Sequence, residues 1–496
     1  MNLTLLIILP FLTALSILFC KGLKQVRTVA LTGTVAQLLL SFVLLYQFLQ
    51  ERASGNTATT VFNYKTTLFS SFNIEYNVGV DGIAISMILL TAFIVVAGVL
   101  VSWTMEKLSK EFFFLLLFLS MGAYGFFISL DMFLMFFFLE VAVIPKFLLI
   151  GIWGSGKKEY SAMKLALMLM GGSALVFVGL AGLYFNTTTA TGGHTFDIAQ
   201  IAQMNIPEQA QRFFFPFAFI GFGIFTALFP FHTWVPDGHS SAPTAASMFL
   251  AGISMKLGGY GCLRVATFLM PQGAEYYSWV IILLATIAII YGAFATMMQT
   301  DLKYINAYSS VSHCGFVLLG IGMLTQTSIT GAVMQMVSHG LMTALFFAAI
   351  GMIYSRTHTR EVSQLGGLLK ITPFISSVFV IAGLCSLGLP GLSGFAAEMT
   401  VFVGAWQNPD FWYRFATILA CASIVVTAVY ILRATGKTVM GPLSNEYAKL
   451  SDASWNEKLA AGLLIVGIVA IGIAPFWLID LVKPGAEAIM RQFGMK

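Results

Sequence analysis

The sequence has little charge, little cysteine and no long polar stretch. Only 9% of its 496 residues are charged, against about 25% in ordinary soluble domains, which excludes a soluble globular enzyme and a disordered chain. Its five cysteines show no CxxC or Cys/His ligand spacing. We therefore expect buried free thiols rather than disulfides, a metal site or an iron–sulfur cluster. The net charge of +5 comes from basic residues scattered over short loops, which is not a nucleic-acid-binding pattern.

Hydrophobic residues fill the space that charge leaves, at 58% of the chain. A membrane-spanning helix needs about 20 apolar residues, and the apolar runs predict an all-α polytopic membrane protein with about fourteen transmembrane helices. The predicted spans are near 1–20, 28–49, 81–103, 112–130, 131–152, 162–186, 213–233, 244–268, 278–300, 303–325, 328–354, 371–404, 411–433 and 458–482. The first is predicted to be a retained helix, because no basic region and no cleavage site precede Lys21.

The loops between these spans are short and carry basic residues unevenly. The longest, at about 50–80 and 187–212, have room for at most a short hairpin or a surface helix. Loops after odd-numbered spans carry fifteen Lys and Arg, and the loops and ends on the opposite side carry eight, with Arg264 counted among the eight and Lys303 among the fifteen. The positive-inside rule then places both termini on the outer face of the membrane.

Six ionisable residues inside the predicted spans are the first candidates for function. An ionisable side chain at bilayer depth costs at least ~2.5–3.5 kcal/mol on insertion scales. Acids, imidazoles and amines spread over several helices are typical of a proton relay. The alternative is that they are structural and pair with one another or with backbone carbonyls. The six are Glu140, Lys164, Lys256, His313, His339 and Glu398.

Two predicted spans contain helix-breaking residues. Pro230 and Pro236 frame one break, and Pro390 with its neighbouring glycines interrupts another. Irregular backbone at membrane depth is tolerated only inside protein or beside a wet cavity, and a pair of interrupted spans is typical of inverted-repeat transporters. His232 and His239 lie near the first break. They are either relay groups or residues that bond backbone at a helix end.

Several long motifs resemble a known family, the antiporter-like membrane subunits of respiratory complex I, the proton-translocating NADH-quinone oxidoreductase. The motifs read FPFHTWVPDGHSSAPTAASMFLAGISMKLGGYGCLR, DLKYINAYSSVSHCGFVLLGIG, MVSHGLMTALFFAAIGMIYSR and LGLPGLSGFAAEM. The resemblance implies fourteen helices with inverted five-helix repeats and interrupted helices 7 and 12. The implied division is helices 1–3 at 1–104, a first repeat at 105–270, a second repeat at 271–435, and helix 14 at 436–496.

The resemblance also implies a role for the buried residues. Glu140 matches a glutamate on helix 5, Lys256 a lysine on helix 8, and His313 and His339 histidines on helices 10 and 11. Glu398 matches an acidic residue on helix 12. Together they would form a hydrated proton axis, driven by quinone reduction in other subunits, that carries protons from the cytoplasm to the outside. Lys146, His232, His239 and Asp131 are further candidates for pairing or gating.

The resemblance further implies partners rather than cofactors on this chain. It places NAD, FMN, iron–sulfur clusters and quinone in the other membrane-arm and peripheral-arm subunits, and it places the chain in a bacterial inner membrane. No GxGxxG motif after a strand and no GxxxxGK[ST] motif occurs, so nucleotide binding on this chain is not expected.

One position departs from the family pattern. Family members usually carry a lysine on helix 7 that pairs with the helix 5 glutamate, but Phe225 stands there, and Lys146 follows Pro145 where an apolar residue is usual. Our hypothesis is that Lys146 replaces the missing partner of Glu140. Six residues along an ideal helix turn a side chain about 120° away, so the pairing would need a kink at Pro145. The alternative is that Lys146 extends toward the cytoplasmic surface.

Two other functions stay open. Multisubunit cation/proton antiporters contain related subunits, and such a protein would work on ion gradients without redox coupling. The substitution at Phe225 also leaves room for a structural spacer in the membrane arm that no longer pumps.

Overall fold

The computed structural model describes residues 1–189, 192–443 and 445–494 and is built almost wholly of helices. Within those residues, nine helical segments are long and apolar enough to cross a membrane. They are α2 (Leu23–Ala53), α3 (Gly82–Val101), α4 (Ser109–Ile128), Met132–Trp153, which consists of α5 (Met132–Val141) and α6 (Val143–Trp153), α7 (Lys158–Phe185), α13 (Pro271–Met297), α15 (Gln326–Thr357), α18 (Phe411–Thr438) and α19 (Trp455–Ile473). The chain is therefore a helical membrane protein.

Shorter or interrupted elements complete the fold. The other helices are α1 (Leu5–Leu18), α8 (Ile198–Ile201), α9 (Glu208–Phe225), α10 (Trp234–Ser241), α11 (Thr244–Phe249), α12 (Met255–Gly261), α14 (Leu302–Gly322), α16 (Pro373–Ser386), α17 (Ser393–Trp406) and α20 (Phe476–Arg491), and the strands are β1 (Val61–Phe69) and β2 (Ile74–Val80). Short 3₁₀ turns lie at Ser70–Phe72, Val362–Gln364, Leu368–Lys370 and Asn445–Tyr447.

The two strands form the hairpin that the length of the 50–80 loop allows. They pair antiparallel, with Val61 opposite Val80. The Tyr76 hydroxyl lies 3.0 Å from Thr4 Oγ1, which places the first helix at the same face. We call this face, with the hairpin, α8 and α20, the hairpin face. The opposite face holds the loops at 154–158, 298–301 and 358–372, and we call it the basic face.

Both breaks predicted from proline are present. α9 ends at Phe225 and α10 begins at Trp234, with Pro230 between them. α16 ends at Ser386 and α17 begins at Ser393, with Pro390 between them. Proline lacks the N–H that continues a helix, and both breaks are enclosed by other helices, as irregular backbone in a membrane requires.

The helix that carries Lys256 is irregular in a way that the sequence did not indicate. Two π-helical segments, Leu250–Ser254 and Cys262–Thr267, flank α12. π-helical turns are rare and frequent at functional sites, because they leave carbonyls out of the usual helical ladder. Lys256 therefore lies beside backbone acceptors that a regular helix would occupy.

Four details of the sequence analysis were wrong. The last predicted span, 458–482, ends at Ile473, and after Pro475 the chain turns into α20, whose polar and apolar faces are typical of a helix at a membrane surface. Cys421 is exposed, whereas the other four cysteines are buried free thiols. Arg264 is not a loop residue.

Arg264 is buried in the helical segment of Lys256 and forms an ion pair with Asp81, which caps the N-terminus of α3. A charge in that position needs an opposite charge because water cannot reach it. Lys303, also counted as a loop cation, is buried and donates from Nζ to the carbonyl of Ala242 at 2.6 Å. Local hydropathy could not show either contact, since both partners are distant in sequence.

Candidate functional site

The centre of the candidate site is a contact between Lys256 and His339. Lys256 Nζ lies 2.7 Å from His339 Nδ1 and 2.5 Å from the carbonyl oxygen of Ala251, in the first π-helical segment. Both side chains are buried. The ammonium donates two of its three hydrogens here, one to the carbonyl and one to the imidazole.

Glycines allow this contact by letting the backbones approach. A Cβ at Gly252 would lie 3.2 Å from the carbonyl of Gly340, and a Cβ at Gly340 would lie 2.8 Å from the carbonyl of Gly252. Small residues permit such close helix packing in membranes. The residue next to Gly340 in the chain is His339, so this crossing sets its distance from the helix of Lys256.

The second contact joins His313 and Glu398. His313 Nδ1 lies 3.3 Å from Glu398 Oε1, and His313 Nε2 lies 3.0 Å from Ser386 Oγ at the end of α16. The two buried histidine rings, His313 and His339, stack with their centres 5.4 Å apart. Lys256, His339, His313 and Glu398 therefore form one continuous buried chain across α12, α15, α14 and α17.

Glu140 and Lys146 are close but not in contact. Lys146 is buried, with 1% of its surface exposed, so the alternative in which it extends to the membrane surface is wrong. No oxygen of Glu140 lies within 4.0 Å of Lys146 Nζ, so the two do not form a direct ion pair either. The Glu140 carboxylate nevertheless acts electrostatically on the ammonium, and neither Lys146 Nζ nor Glu140 Oε1 has a hydrogen-bond partner.

Phe225 lies beside the ammonium of Lys146. Lys146 Nζ lies 5.7 Å from the centre of the Phe225 ring, within range of a cation–π interaction. The turn at Ala142 between α5 and α6 breaks the regular helix in which the two side chains would diverge. The buried ammonium of Lys146 thus lies near the ring of Phe225, although the two residues come from different helices.

Lys164 lies apart from the buried chain. Its Nζ forms a 2.6 Å ion pair with Asp237 Oδ2 on α10, and both side chains are about one-quarter exposed, at 24%. Tyr304 donates from its hydroxyl to Asp237 Oδ1 at 3.3 Å. Asp237, Tyr304 and Arg360 line a 610 Å³ cavity that opens at the basic face.

The remaining candidates from the sequence have separate places. His232 is buried between Phe229 and Tyr291, with ring centres 5.4 and 5.0 Å away. His239 is buried with neither ring nitrogen hydrogen-bonded, and its charge would act on His339. Asp131 accepts from the backbone N–H of Leu134 at 2.9 Å and caps α5.

A cluster of charged residues holds the hairpin to the start of α5. Lys65 lies 2.6 Å from Glu75 and 2.9 Å from Asp197, and the N–H of Glu75 donates to Asp131 at 3.2 Å. Burial alone would lower the pKa of Lys65, but the hydrogen bonds and charges of Glu75 and Asp197 outweigh it and raise that pKa above its ordinary value.

Sequence reasoning missed several polar partners because each depends on a distant segment. Asp237, Ser386 and the Asp81–Arg264 pair were not singled out. A signal was present for Asp237, which stands beside a predicted break, whereas Ser386 is an ordinary serine in an apolar run. Across the described ranges no group of three or more His, Cys, Asp or Glu side chains is arranged to hold a metal ion.

The chain is similar to a known protein family and to individual proteins of bacteria. Residues 129–423 match the family described as NADH:quinone oxidoreductase/Mrp antiporter, transmembrane. The chain is 33% identical over 493 residues to NADH-quinone oxidoreductase subunit M of Rickettsia prowazekii, covering 98% of each. It is 36% identical to NAD(P)H-quinone oxidoreductase chain 4-2 of Synechocystis sp., covering 87% of this chain and 76% of that protein.

Two solved structures have the same fold. A chain of respiratory complex I from Thermus thermophilus with bound NADH is similar with a TM-score of 0.89 at 25% identity, covering 99% of this chain and 100% of that one. A chain of the Mrp complex from Dietzia sp. is similar with a TM-score of 0.86 at 19% identity, covering 98% and 97%.

Proposed function

This chain belongs to the NADH:quinone oxidoreductase/Mrp antiporter transmembrane family, and on that premise we propose that it is the proton-translocating membrane subunit of an NADH-quinone oxidoreductase. The proposal is supported by relatives that cover nearly the whole chain and carry that name, and by the likeness to complex I. NAD, FMN, iron–sulfur clusters and quinone belong to partner subunits, so the redox chemistry takes place outside this chain.

The proposed topology has fourteen spans with inverted repeats at 105–270 and 271–435, preceded by 1–104 and followed by 436–496. The break between α9 and α10 and the break between α16 and α17 support it, because each falls in one repeat. The bacterial relatives support a bacterial inner membrane, and the excess of basic residues on one face supports an orientation with both termini outside.

The proposed relay joins Glu140 and Lys146 in the first repeat to Lys256, His339, His313 and Glu398. The single observation that carries it is the buried Lys256–His339 contact of 2.7 Å. A proton that leaves Lys256 Nζ can pass along this hydrogen bond to His339 Nδ1. The positive charge on His339 then favours proton release by its neighbour His313, whose Nδ1 faces Glu398.

The first repeat supplies the electrostatic switch in this proposal. A nearby ammonium favours the ionised carboxylate of Glu140, whereas burial favours its neutral form. Movement of Lys146 away from Glu140 would therefore raise the affinity of the acid for a proton. In this scheme Lys164 lies at the basic face, and its ion pair with Asp237 is at the mouth of the polar cavity.

The test is the Lys256→Ala substitution in the reconstituted complex. We expect NADH oxidation to lose its coupled proton uptake while the subunit still assembles, since the transfer between the two halves is interrupted. Lys370→Ala removes an exposed lysine and is the control. Full proton uptake per NADH in Lys256→Ala would contradict the relay.

The likeness to an Mrp complex chain favours one alternative, a subunit of a cation/proton antiporter. Such a protein would exchange protons for cations along an imposed gradient in vesicles without NADH. If exchange occurs without redox partners and Lys256→Ala abolishes it, the antiporter replaces the redox-driven pump.

A further inference from the structure

The Nδ1 atom of His313 has two polar neighbours, which come from two different helices. Glu398 Oε1 on α17 lies 3.3 Å away, and Gln335 Nε2 on α15 lies 3.4 Å away. All three side chains are buried. An imidazole nitrogen either carries a hydrogen or offers a lone pair, so the protonation of Nδ1 decides which neighbour it bonds.

Close packing between α15 and α17 places the amide of Gln335 at this point. Gln335 lies four residues before His339 and therefore on the same face of α15. One turn earlier, a Cβ at Gly331 would lie 2.6 Å from the backbone nitrogen of Val401 on α17. Val401 follows Glu398 by one turn, so this helix crossing brings Gln335 beside the acid.

The two neighbours suit opposite protonation states of Nδ1. When Nδ1 carries a hydrogen, it donates to the ionised Glu398, and such a charge-assisted bond is about twice as strong as a neutral one. When Nδ1 is bare, its lone pair repels the carboxylate, whereas the N–H of Gln335 can donate to it. The ring hydrogen then lies on Nε2, which is 3.0 Å from Ser386 Oγ and can donate to it.

No competing contact of the amide holds it in another orientation. Within the part of the chain that the structure describes, the buried Gln335 Oε1 has no hydrogen-bond partner. The amide can also turn this oxygen toward a protonated Nδ1, but there the Glu398 carboxylate is already the stronger acceptor. Gln335 therefore stabilises the bare Nδ1 of His313 more than the protonated one.

From these contacts we infer that Gln335 is a positioning residue, which donates to the bare Nδ1 of His313 and so holds on Glu398 the proton that the pair shares. In the transfer the Nδ1–H bond breaks, an O–H bond forms at Glu398 Oε1, and the amide N–H then bonds to Nδ1. Return of the proton to His313 has to break the amide hydrogen bond. The inference rests on the proposed function for the direction of transfer, and it gives that step a bias toward Glu398.

Other ionisable groups surround the pair and come from several helices. The charge of Glu398 acts on two of them, and the ring of His313 stacks on a third. They are Lys256 on α12, Cys314 on α14, His339 on α15, Cys385 on α16 and Tyr430 on α18. An exchange of Gln335 for another uncharged side chain leaves all these groups in place, so a change in the protonation of Glu398 can be assigned to the amide.

The test measures the protonation of Glu398 at equilibrium, without turnover. A hydrophobic carbodiimide reacts with a protonated carboxyl: the acid oxygen adds to the carbodiimide carbon, the acid proton moves to nitrogen, and the adduct rearranges to a stable N-acylurea. The whole complex, purified in detergent without NADH, is labelled over a range of pH, and the modified Glu398 peptide is quantified by mass spectrometry.

We expect Gln335→Met, which keeps the length of the side chain and removes the amide, to shift the midpoint of labelling to lower pH. The loss of one ordinary hydrogen bond corresponds to a shift of about half to one pH unit. Gln335→Leu should shift the midpoint in the same direction and replaces the methionine variant if that one does not assemble. Gln37→Met is the matched control with an expected native midpoint, because it removes a buried amide that donates to the Leu6 carbonyl on α1.

His313→Phe shows whether the amide acts through the histidine. In that background Gln335→Met should shift nothing, because Nδ1 is absent and the two effects are not additive. An unshifted or raised midpoint in the Gln335 variants, or an equal shift with and without His313, would overturn the inference. These outcomes are separate from a failure of the pump, which is measured as coupled proton uptake in Lys256→Ala. Loss of that uptake together with an unshifted midpoint would support the pump and exclude this role for Gln335.

Discussion

The first and second halves of the molecule hold their acids, Glu140 and Glu398, differently. In the second, Glu398 contacts His313 at 3.3 Å and sits in a chain of touching groups that reaches Lys256. In the first, Glu140 and Lys146 act on each other through a gap wider than 4.0 Å. Coulomb energy falls with distance, so a movement of Lys146 changes the charge balance of Glu140. The contrast favours the proposal in which the first half switches and the second half conducts.

The largest effect is expected at Glu140. Glu140→Gln keeps the shape of the side chain and removes its charge, so the switch has nothing to act on. Proton uptake coupled to NADH oxidation should fall to background while the subunit still assembles. Full coupled proton uptake in the reconstituted Glu140→Gln complex would contradict the proposal that Glu140 is the switch of the first half.

The next test moves the cation from position 146 to position 225. Lys146→Leu should lower coupled proton uptake by at least about tenfold, equivalent to ~1.4 kcal/mol, because Glu140 loses its ammonium. Adding Phe225→Lys to that variant should restore a substantial part, since the two side chains share one place with the ring centre 5.7 Å from Nζ.

Phe225→Leu alone is the control for the double variant, because it removes the ring and keeps Lys146. It should lower uptake far less than Lys146→Leu. If proton uptake does not recover in the double variant while assembly is normal, Lys146 on α6 does not replace a lysine on α9.

A smaller effect is expected from Lys164→Ala. The lysine pairs with Asp237 beside an open cavity and touches no member of the chain from Lys256 to Glu398. We expect proton uptake to fall about two- to threefold, because pairs as exposed as this contribute about 0–1 kcal/mol. A loss as complete as that of Lys256→Ala, measured in the same vesicles, would place Lys164 within the relay.

The smallest effect concerns the hairpin over the first half. Lys65→Met should lower the midpoint of thermal unfolding by about 2 °C or less, since the lysine is partly exposed. A raised lysine pKa gives stability that is complete below the unfolded value of about 10.4 and is lost as pH rises through the higher folded value. The difference from the native chain should therefore be equal at pH 7 and 9 and shrink only as the pH rises through the raised pKa of Lys65.

Lys483→Met on α20 is the control for this substitution, because it removes an exposed lysine from the same face. A difference that already disappears between pH 7 and 9 would show that Lys65 does not titrate as the cluster of carboxylates requires.

Much of the architecture was predicted from local pattern. Apolar runs gave the long helices, and Pro230 and Pro390 gave both breaks, because a missing N–H interrupts any helix whatever surrounds it. The six candidate residues were identified because an ionisable side chain at membrane depth costs free energy. Four of them lie in one chain of contacts. Lys164 was grouped with them because hydropathy reads depth only coarsely near a helix end. Arg264 was misplaced because its partner, Asp81, lies far away in the chain.

The sequence by itself determined that the chain is a helical membrane protein with interrupted helices and a small set of buried ionisable groups. Hydropathy and proline act locally, so they can be read without knowing what lies opposite. Only the tertiary structure decided which groups meet: Lys256 with His339, His313 with Glu398, and Lys146 over Phe225. Contacts of 3 Å depend on helix crossings and on π-helical turns, which residues far apart in the chain fix together. The low charge content marked the candidates, and the packing of helices decided their connections.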